Sequence, residues 1–279
     1  MMPPDPTLYA IPLYLLGIAL EALALRGGAD PAHGYERRDT AASLAMGLGS
    51  LLPVSVINVA VFYLANALWP YRLVDLGTGP LGWVVAMTSW DFAYYWQHRT
   101  DHEVRLLWAY HVNHHSSERY HLVTALRQSW TPWPAVLFYP PLVLLGVQPR
   151  MVIVAWGLNL IYQFWVHTEV IGRMPGWFEY VFNTPSHHRV HHGSNPQYLD
   201  RNYGGIVILW DRLFGTFAPE VEPVVYGLTT NIRTYNPLVI AFHEYAAMLG
   251  DLRRARSWSE RLGVLFRRPG WRPLAGSGR

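Results

Sequence analysis

From Ala41 to Trp69 the chain runs 29 residues without a formal charge. As a helix rising 1.5 Å per residue it would be about 43 Å long, more than the ~30 Å needed to cross the hydrocarbon core of a bilayer. Water-soluble folds rarely carry such a run. Tyr9 to Leu25 is apolar except for Glu21, and Leu81 to Trp96 is interrupted only by Asp91. Trp133–Val147 and Met151–Val166 flank Gln148-Pro149-Arg150 and together resemble a helical hairpin that crosses twice or dips into one leaflet. A soluble all-helical protein with buried helices is the weaker alternative. A cleaved signal peptide is disfavoured too: the first apolar segment lacks a basic leader and is followed by Arg26-Gly27-Gly28, with no clear small-residue cleavage site.

The distribution of charge orients these segments. Only 15% of the residues are charged, against about 25% in an ordinary soluble domain. All 22 basic residues are arginine, and eight of them fall between Arg253 and Arg279 against the single acid Glu260. Arg26, Arg37 and Arg38 follow the first apolar segment, Arg99, Arg105, Arg119 and Arg127 follow the third, and only Arg72 lies in the 70–80 loop. With arginine-rich segments inside, four or five membrane segments follow an outside N-terminus. The basic C-terminal tail then lies on anionic headgroups rather than on nucleic acid.

The same orientation puts every clustered histidine on the cytoplasmic side. There are 13 histidines and no cysteine, so disulfides, thiolate metal sites, iron–sulfur clusters and thioether-linked haem are excluded together. His98 and His102 stand four residues apart on a helix that continues from the third apolar segment. His111, His114 and His115 form HxxHH on one helical face, and His188, His191 and His192 repeat that spacing, with His187 just before them. A lone helical histidine is usually a packing residue, but two HxxHH triplets beside an HxxxH point to metal. One zinc takes three or four ligands, so these eight suit a pair of ions. Iron fits oxygen chemistry at a membrane surface, although imidazole alone does not choose between metals. Asp91, Asp101, Glu103 and Glu118 are candidates to orient the rings. His167, in Trp-Val-His-Thr-Glu169, and His187 are open as further ligands. His33, His121 and His243 have no partner in register and read as surface or packing residues.

Other motifs fail on context. Gly77-Thr-Gly-Pro-Leu-Gly82 matches GxGxxG but lies in a short loop containing Pro80, with no βα unit before it. His102-Glu103 and His243-Glu244 begin HExxH without its second histidine, and GxSxG does not occur.

Over residues 85 to 218 the sequence resembles the fatty acid hydroxylase superfamily, the membrane sterol desaturase and lipid hydroxylase group with eight-histidine di-iron sites. His114-His-Ser-Ser-Glu-Arg-Tyr, Thr124-Ala-Leu-Arg-Gln-Ser129 and Tyr162-Gln-Phe-Trp-Val-His-Thr-Glu-Val170 are similar to its alkylglycerol monooxygenase branch. So are Asn183-Thr-Pro-Ser-His-His-Arg-Val-His-His-Gly193, Asn202-Tyr-Gly-Gly and Trp210-Asp-Arg-Leu-Phe-Gly-Thr-Phe217. The resemblance implies that His98, His102, His111, His114, His115, His188, His191 and His192 hold two irons. An additional HxxxH of some relatives is incomplete here, because Ile171 stands four residues after His167; His187 is a possible substitute. Glu103 matches an acid of the branch that uses a reduced pterin.

The expected architecture is therefore all-α: an integral membrane protein, in a bacterial inner membrane, with a cytoplasmic histidine-rich di-metal domain. Residues 1–84 supply N-terminal membrane segments. Residues 85–218 form the catalytic domain, including membrane segments 85–96 and hairpin 132–166, and residues 219–279 form the basic tail. The implied activity is O2-dependent hydroxylation of a lipid alkyl chain, with cleavage of an alkylglycerol ether to glycerol and a fatty aldehyde. Electrons come from a partner reductase or a reduced pterin such as tetrahydrobiopterin, since no flavin or haem motif is present. The alternatives are an acyl-chain, sterol or carotenoid hydroxylase or desaturase of the same superfamily, and a metal-binding or metal-transport membrane protein without redox chemistry.

Overall fold

The structure is a computed structural model that describes residues 2–26 and 34–272. Among these the chain is helical and no strand forms; the extended contacts are two isolated bridges, Phe182 with Val207 and Gly193 with Tyr226. The helices are α1 (Thr7–Leu25), α2 (Arg37–Leu68), α3 (Pro80–Glu103), α4 (Arg105–His115), α5 (Ala135–Phe138), α6 (Pro149–Val166), α7 (Gly176–Val181), α8 (Pro185–His191), α9 (Leu209–Phe214), α10 (Pro237–Arg254) and α11 (Trp258–Phe266).

Helix starts follow local chemistry. The Glu36 carboxylate accepts the Asp39 N–H at 2.7 Å and opens α2, satisfying one of the N–H groups that a helix start leaves free. Pro80 and Pro149 occupy the first turn of α3 and α6, where a missing N–H costs nothing. Ser257 caps α11 through the Glu260 N–H, while Glu260 reaches back to the Arg256 N–H.

Among the described residues, two helices are long and apolar enough to cross a membrane: Thr7–Leu25 and Arg37–Tyr71, each with a mean hydropathy of 1.9. Their apolar side chains mostly point outward; Leu13 is 65% exposed and Leu52 74%. Of the expected hairpin, only the second limb is one continuous helix. Pro134, Pro140 and Pro141 break its first limb into the four-residue α5 and a 3-10 turn at Pro140–Leu145, because proline removes the N–H that continues a helix. The second limb is α6, packed with α2 and α3 around Trp90, Tyr139, Val143, Met151 and Val152.

Residues 237–266 also depart from a simple tail. The helices α10 and α11 pack Met248 and Val264 on Ala109 of α4. Arg105 binds Glu244 and Asp251, both at 2.7 Å, so part of the basic segment is folded onto α4.

Candidate metal centre

α3 ends at Glu103, and the extended backbone of Val104 (φ −119°, ψ 116°) turns the chain before α4 starts at Arg105. Because α4 folds back along α3, His98 and His102 meet His111 and His115, with ring centroids 4.8 Å apart for His98–His111 and 4.7 Å for His102–His115. His191 enters from α8, 4.3 Å from His98. His114, His167, His188 and His192 form a second cluster, with 4.3 Å between the His167 and His188 rings and 4.6 Å between His114 and His192. In each cluster, one ring nitrogen per residue lies within 4.8 Å of all the others. The clusters adjoin where His115 stacks on His192 at 4.3 Å.

The HxxHH spacing divides between the clusters. On α4 the i,i+4 pair His111 and His115 faces the five-histidine cluster, and His114 turns to the four-histidine one. On α8 the assignment is reversed: His188 and His192 enter the four-histidine cluster, and His191 the other. A helix turns about 100° per residue, so i and i+4 share a face while i+3 lies to its side.

The donor set fits metal ions. His98 Nδ1 donates to the Tyr203 carbonyl at 2.8 Å, His191 Nδ1 to Arg201 at 2.9 Å, His167 Nδ1 to Gln163 at 2.7 Å and His114 Nδ1 to Arg127 at 3.3 Å. With the proton on Nδ1, each neutral ring turns a bare lone pair on Nε2 toward its cluster. His167 Nε2 then lies 3.2 Å from His114 Nε2 and 3.0 Å from His188 Nε2, and His98 Nε2 lies 3.0 Å from His111 Nε2. Between His114 and His167, both with Nδ1 donating to a carbonyl, two lone pairs face each other and repel unless a cation lies among them. The Nε2 atoms of His102, His191 and His192 are buried without any partner. Burial lowers the pKa of all nine rings, to about 3 for His98 and about 4 for His114, so the rings are neutral ligands near pH 7.

The rings are oriented by main-chain carbonyls, not by the acids expected from sequence. Asp91 touches no imidazole. It accepts from the Ile206 N–H at 2.7 Å, the Val207 N–H at 3.3 Å, Trp210 Nε1 at 2.9 Å and Asn159 Nδ2 at 3.3 Å. Asp211 accepts from the N–H groups of Tyr203 and Gly204, each at 2.7 Å. The two acids thus clamp the loop that presents the Tyr203 carbonyl to His98. Gly205 is required there: a Cβ would lie 2.7 Å from Asn159 Nδ2 and 2.9 Å from Asp91 Oδ1. Asp101 and Glu118 are not hydrogen-bonded to any ring, and Glu103 binds Arg99 at 3.2 Å and Arg268 at 3.5 Å.

The remaining histidines separate clearly. His187 takes no place in either cluster: its Nε2 pairs with Glu179 at 2.9 Å, and the Asn202 side chain holds its carbonyl at 3.0 Å. This corrects its candidacy as a ligand. The reason is helix phase, since His187 sits one residue before His188 and so faces away from it. His121 is fully buried and stacks on Tyr35 at 4.1 Å, a packing residue and not a surface one. His243 Nδ1 bonds the Ile240 carbonyl at 3.0 Å, and His33 lies outside the described residues.

The sequence reading overlooked Arg127. Its guanidinium is 1% exposed and binds Asp39 at 3.1 Å, Ser43 at 3.2 Å, Ser116 at 3.2 Å and the Asn113 carbonyl at 3.1 Å. That network holds the Arg127 carbonyl against His114. A buried arginine carries no sequence signal beyond its place in the Thr124–Ser129 string.

The model of the family described as fatty acid hydroxylase matches residues 83–216. Alkylglycerol monooxygenase of Homo sapiens is 43% identical over 241 residues, covering 84% of this chain and 53% of that protein. The Danio rerio alkylglycerol monooxygenase is 42% identical over 270 residues, covering 96% of this chain and 59% of its own length. The ornithine lipid hydroxylase OlsE of Rhizobium tropici is 30% identical over 195 residues, covering 68% of this chain and 57% of that protein. The chain thus spans little more than half the length of these curated relatives. No solved structure matches.

Proposed function

We propose, on the match of residues 83–216 to the fatty acid hydroxylase family model and on the alkylglycerol monooxygenase relatives, that the chain is an O2-dependent membrane monooxygenase of that family with two irons. The observation that carries this reading is the pair of adjoining imidazole clusters whose Nε2 lone pairs converge. His98, His102, His111, His115 and His191 would hold one iron, and His114, His167, His188 and His192 the other. Iron bound there supplies activation of dioxygen, which no side chain provides.

The protein's own contribution is positional. The carbonyls of Tyr203, Arg201, Gln163 and Arg127 hold Nδ1 protons and aim Nε2 inward. α3, α4, α6 and α8 bury the clusters, which keeps bulk water from a reactive oxidant. Burial raises the Tyr203 phenol, so it keeps its proton beside His98 and His191. Glu103, held by Arg99 and Arg268, is the proposed contact for a reduced pterin; a partner reductase is the other source of electrons.

The substrate proposed is a lipid alkyl chain, hydroxylated at the carbon next to an ether oxygen. One oxygen atom of O2 enters the C–H bond, and the other leaves as water with two electrons and two protons. The hemiacetal formed then separates into glycerol and a fatty aldehyde. Supporting this substrate are the alkylglycerol monooxygenase relatives and the apolar exteriors of α1 and α2. We further propose four or five membrane segments with the histidine clusters on the cytoplasmic side, from the placement of arginine.

The test is iron analysis of the purified chain, with oxygen uptake and aldehyde release on adding alkylglycerol and a competent reductant. Two irons with aldehyde release support the reading. A hydroxylated lipid without aldehyde moves it to an acyl-chain hydroxylase, the reading favoured by the ornithine lipid hydroxylase relative. Metal binding without lipid-dependent oxygen uptake leaves only a metal-handling protein.

A further inference from the structure

The four-histidine cluster has an aromatic neighbour with no part in holding or orienting its imidazoles. Tyr120 is 1% exposed, and its ring stands 5.1 Å from His192 and 5.7 Å from His167. Tyr226 stacks on Tyr120 at 4.8 Å, with the two planes 4° apart. The Tyr226 hydroxyl donates to Glu169 Oε1 at 3.1 Å. Tyr226 is half-buried, and Val225 before it is 59% exposed. Two aromatic contacts thus lead from the cluster toward the protein surface. The fold fixes the second of them. The main chain of Tyr226 pairs with Gly193, next to His192, in an isolated bridge. Gly227 follows at φ 98°, where a Cβ would stand 2.6 Å from Asn231 Oδ1, and that oxygen accepts the Leu228 N–H at 2.8 Å.

The two phenols differ in where a proton can go. Tyr120 donates to the Val166 carbonyl at 3.0 Å, and a main-chain carbonyl does not take up a proton in neutral water. Tyr226 donates to a carboxylate, which does. Loss of an electron turns a phenol into a strong acid, so Tyr226 can come to rest as a neutral radical while Tyr120 only passes the electron on. Arg189 lies near both rings, but Glu220 binds its guanidinium at 2.8 and 2.7 Å and offsets the charge. Tyr203 approaches the five-histidine cluster as closely, 5.3 Å from His102 and 5.8 Å from His98. Its hydroxyl is buried without a partner, so no acceptor waits for its proton.

We propose that Tyr120 and Tyr226 form an escape route for oxidising equivalents when the metal centre has reacted with O2 and no lipid C–H bond is in reach. Tyr226 gives one electron through the Tyr120 ring to the centre, its O–H bond breaks, and the proton moves along the existing hydrogen bond to Glu169. Tyr226 is oxidised to the neutral radical and the centre is reduced by one electron. The external reductant then returns an electron to Tyr226, which takes its proton back. Two such passes, with two protons from water, carry the unspent oxygen atom to water. A phenol yields an electron only to a strong oxidant, so the route is silent while the reductant loads the centre. The inference rests on the monooxygenase reading and adds what spares the imidazoles from their own oxidant.

The experiment is freeze-quench electron paramagnetic resonance of the full iron-loaded chain in detergent, mixed with hydrogen peroxide in the absence of lipid. Lipid-dependent oxygen uptake with a reductant is assayed in parallel. Expected is a tyrosyl radical that Tyr226→Phe abolishes and that Tyr226→Trp replaces with a tryptophanyl one. Glu169→Gln should delay the tyrosyl signal, because an amide takes no proton. Iron content and circular dichroism of Tyr226→Phe should stay unchanged, while mass spectrometry finds more oxidised histidine at His167 and His192. A tyrosyl signal that survives Tyr226→Phe, or that Tyr203→Phe removes instead, overturns the proposal. So does a tryptophanyl radical in the unaltered chain, which would point to Trp108, 5.0 Å from His102. Lipid-dependent oxygen uptake without any radical overturns the route and leaves the monooxygenase reading. Iron-loaded protein that takes up no oxygen with lipid and reductant refutes that reading, and the route falls with it.

Discussion

His114 and His167 face each other through their Nε2 atoms at 3.2 Å, although both Nδ1 atoms are committed to main-chain carbonyls. His167 directly follows α6 and joins the four-histidine cluster alone. His167→Ala should therefore lower iron from about two per chain to about one, as a four-ligand site loses a quarter of its donors. His187→Ala should leave the iron content unchanged, since its ring serves Glu179. Elemental analysis of the two purified variants checks both.

The metal-free protein should be acid-labile. The folded-state pKa values of the buried rings lie below the ordinary 6.5, at about 3 for His98 and about 4 for His114. The unfolded chain binds protons first as pH falls, so the stability from neutral rings is complete above pH 6.5 and is lost down toward pH 3–4. Chelator-treated protein titrated by circular dichroism should lose helix across this window. Iron-loaded protein should resist to lower pH.

Arg127 and Asp39 form a buried pair, 1% and 6% exposed at their side chains. Arg127→Met should cost about 3–5 kcal/mol by leaving a carboxylate unpaired in the interior. The Arg127→Met/Asp39→Asn double variant should cost less than the sum of the two singles. Thermal unfolding in detergent gives the comparison.

Asp91 satisfies two main-chain N–H groups and the Trp210 indole. Asp91→Ala should destabilise by several kcal/mol, since each buried donor left unmade costs about 1–3 kcal/mol. It should also weaken iron retention, because the Tyr203 carbonyl loses its support. Melting temperature and iron loss during dialysis are the measurements.

Glu103→Gln tests the electron source. Two irons should remain bound, because Glu103 lies in neither cluster. The KM for a reduced pterin should rise roughly tenfold with loss of one charge-assisted hydrogen bond. An unchanged KM would point to a partner reductase.

Much of the centre was legible in the sequence because imidazole spacing maps directly onto a helical face. His98 and His102, and the two HxxHH triplets, needed only the helix period to be grouped. Which triplet member serves which cluster was not legible: that depends on α4 folding back at Val104 and on the approach of α8, both tertiary facts. His167 was left open by an incomplete HxxxH, and geometry rather than motif places it beside His188. The orienting groups were misjudged because a carboxylate shows in sequence and a carbonyl does not; every residue carries one. The apolar run at Trp133–Val147 reads as one limb of a hairpin, whereas its prolines break it into short pieces. The C-terminal arginines suggested a tail, whereas Arg105 pairs with acids on α10 that composition alone does not match to it.

α4 gives two histidines to one cluster and one to the other, and α8 does the opposite. Each of these helices is thus a cross-tie between the two clusters. Replacing a single histidine injures one cluster, but inserting or deleting one residue rotates a whole helix by about 100° and turns histidines out of both at once. Over evolutionary time such a centre can drift in composition yet not in length. The interval from His188 to His192 behaves as a ruler, and a change in its length removes both clusters together rather than grading them.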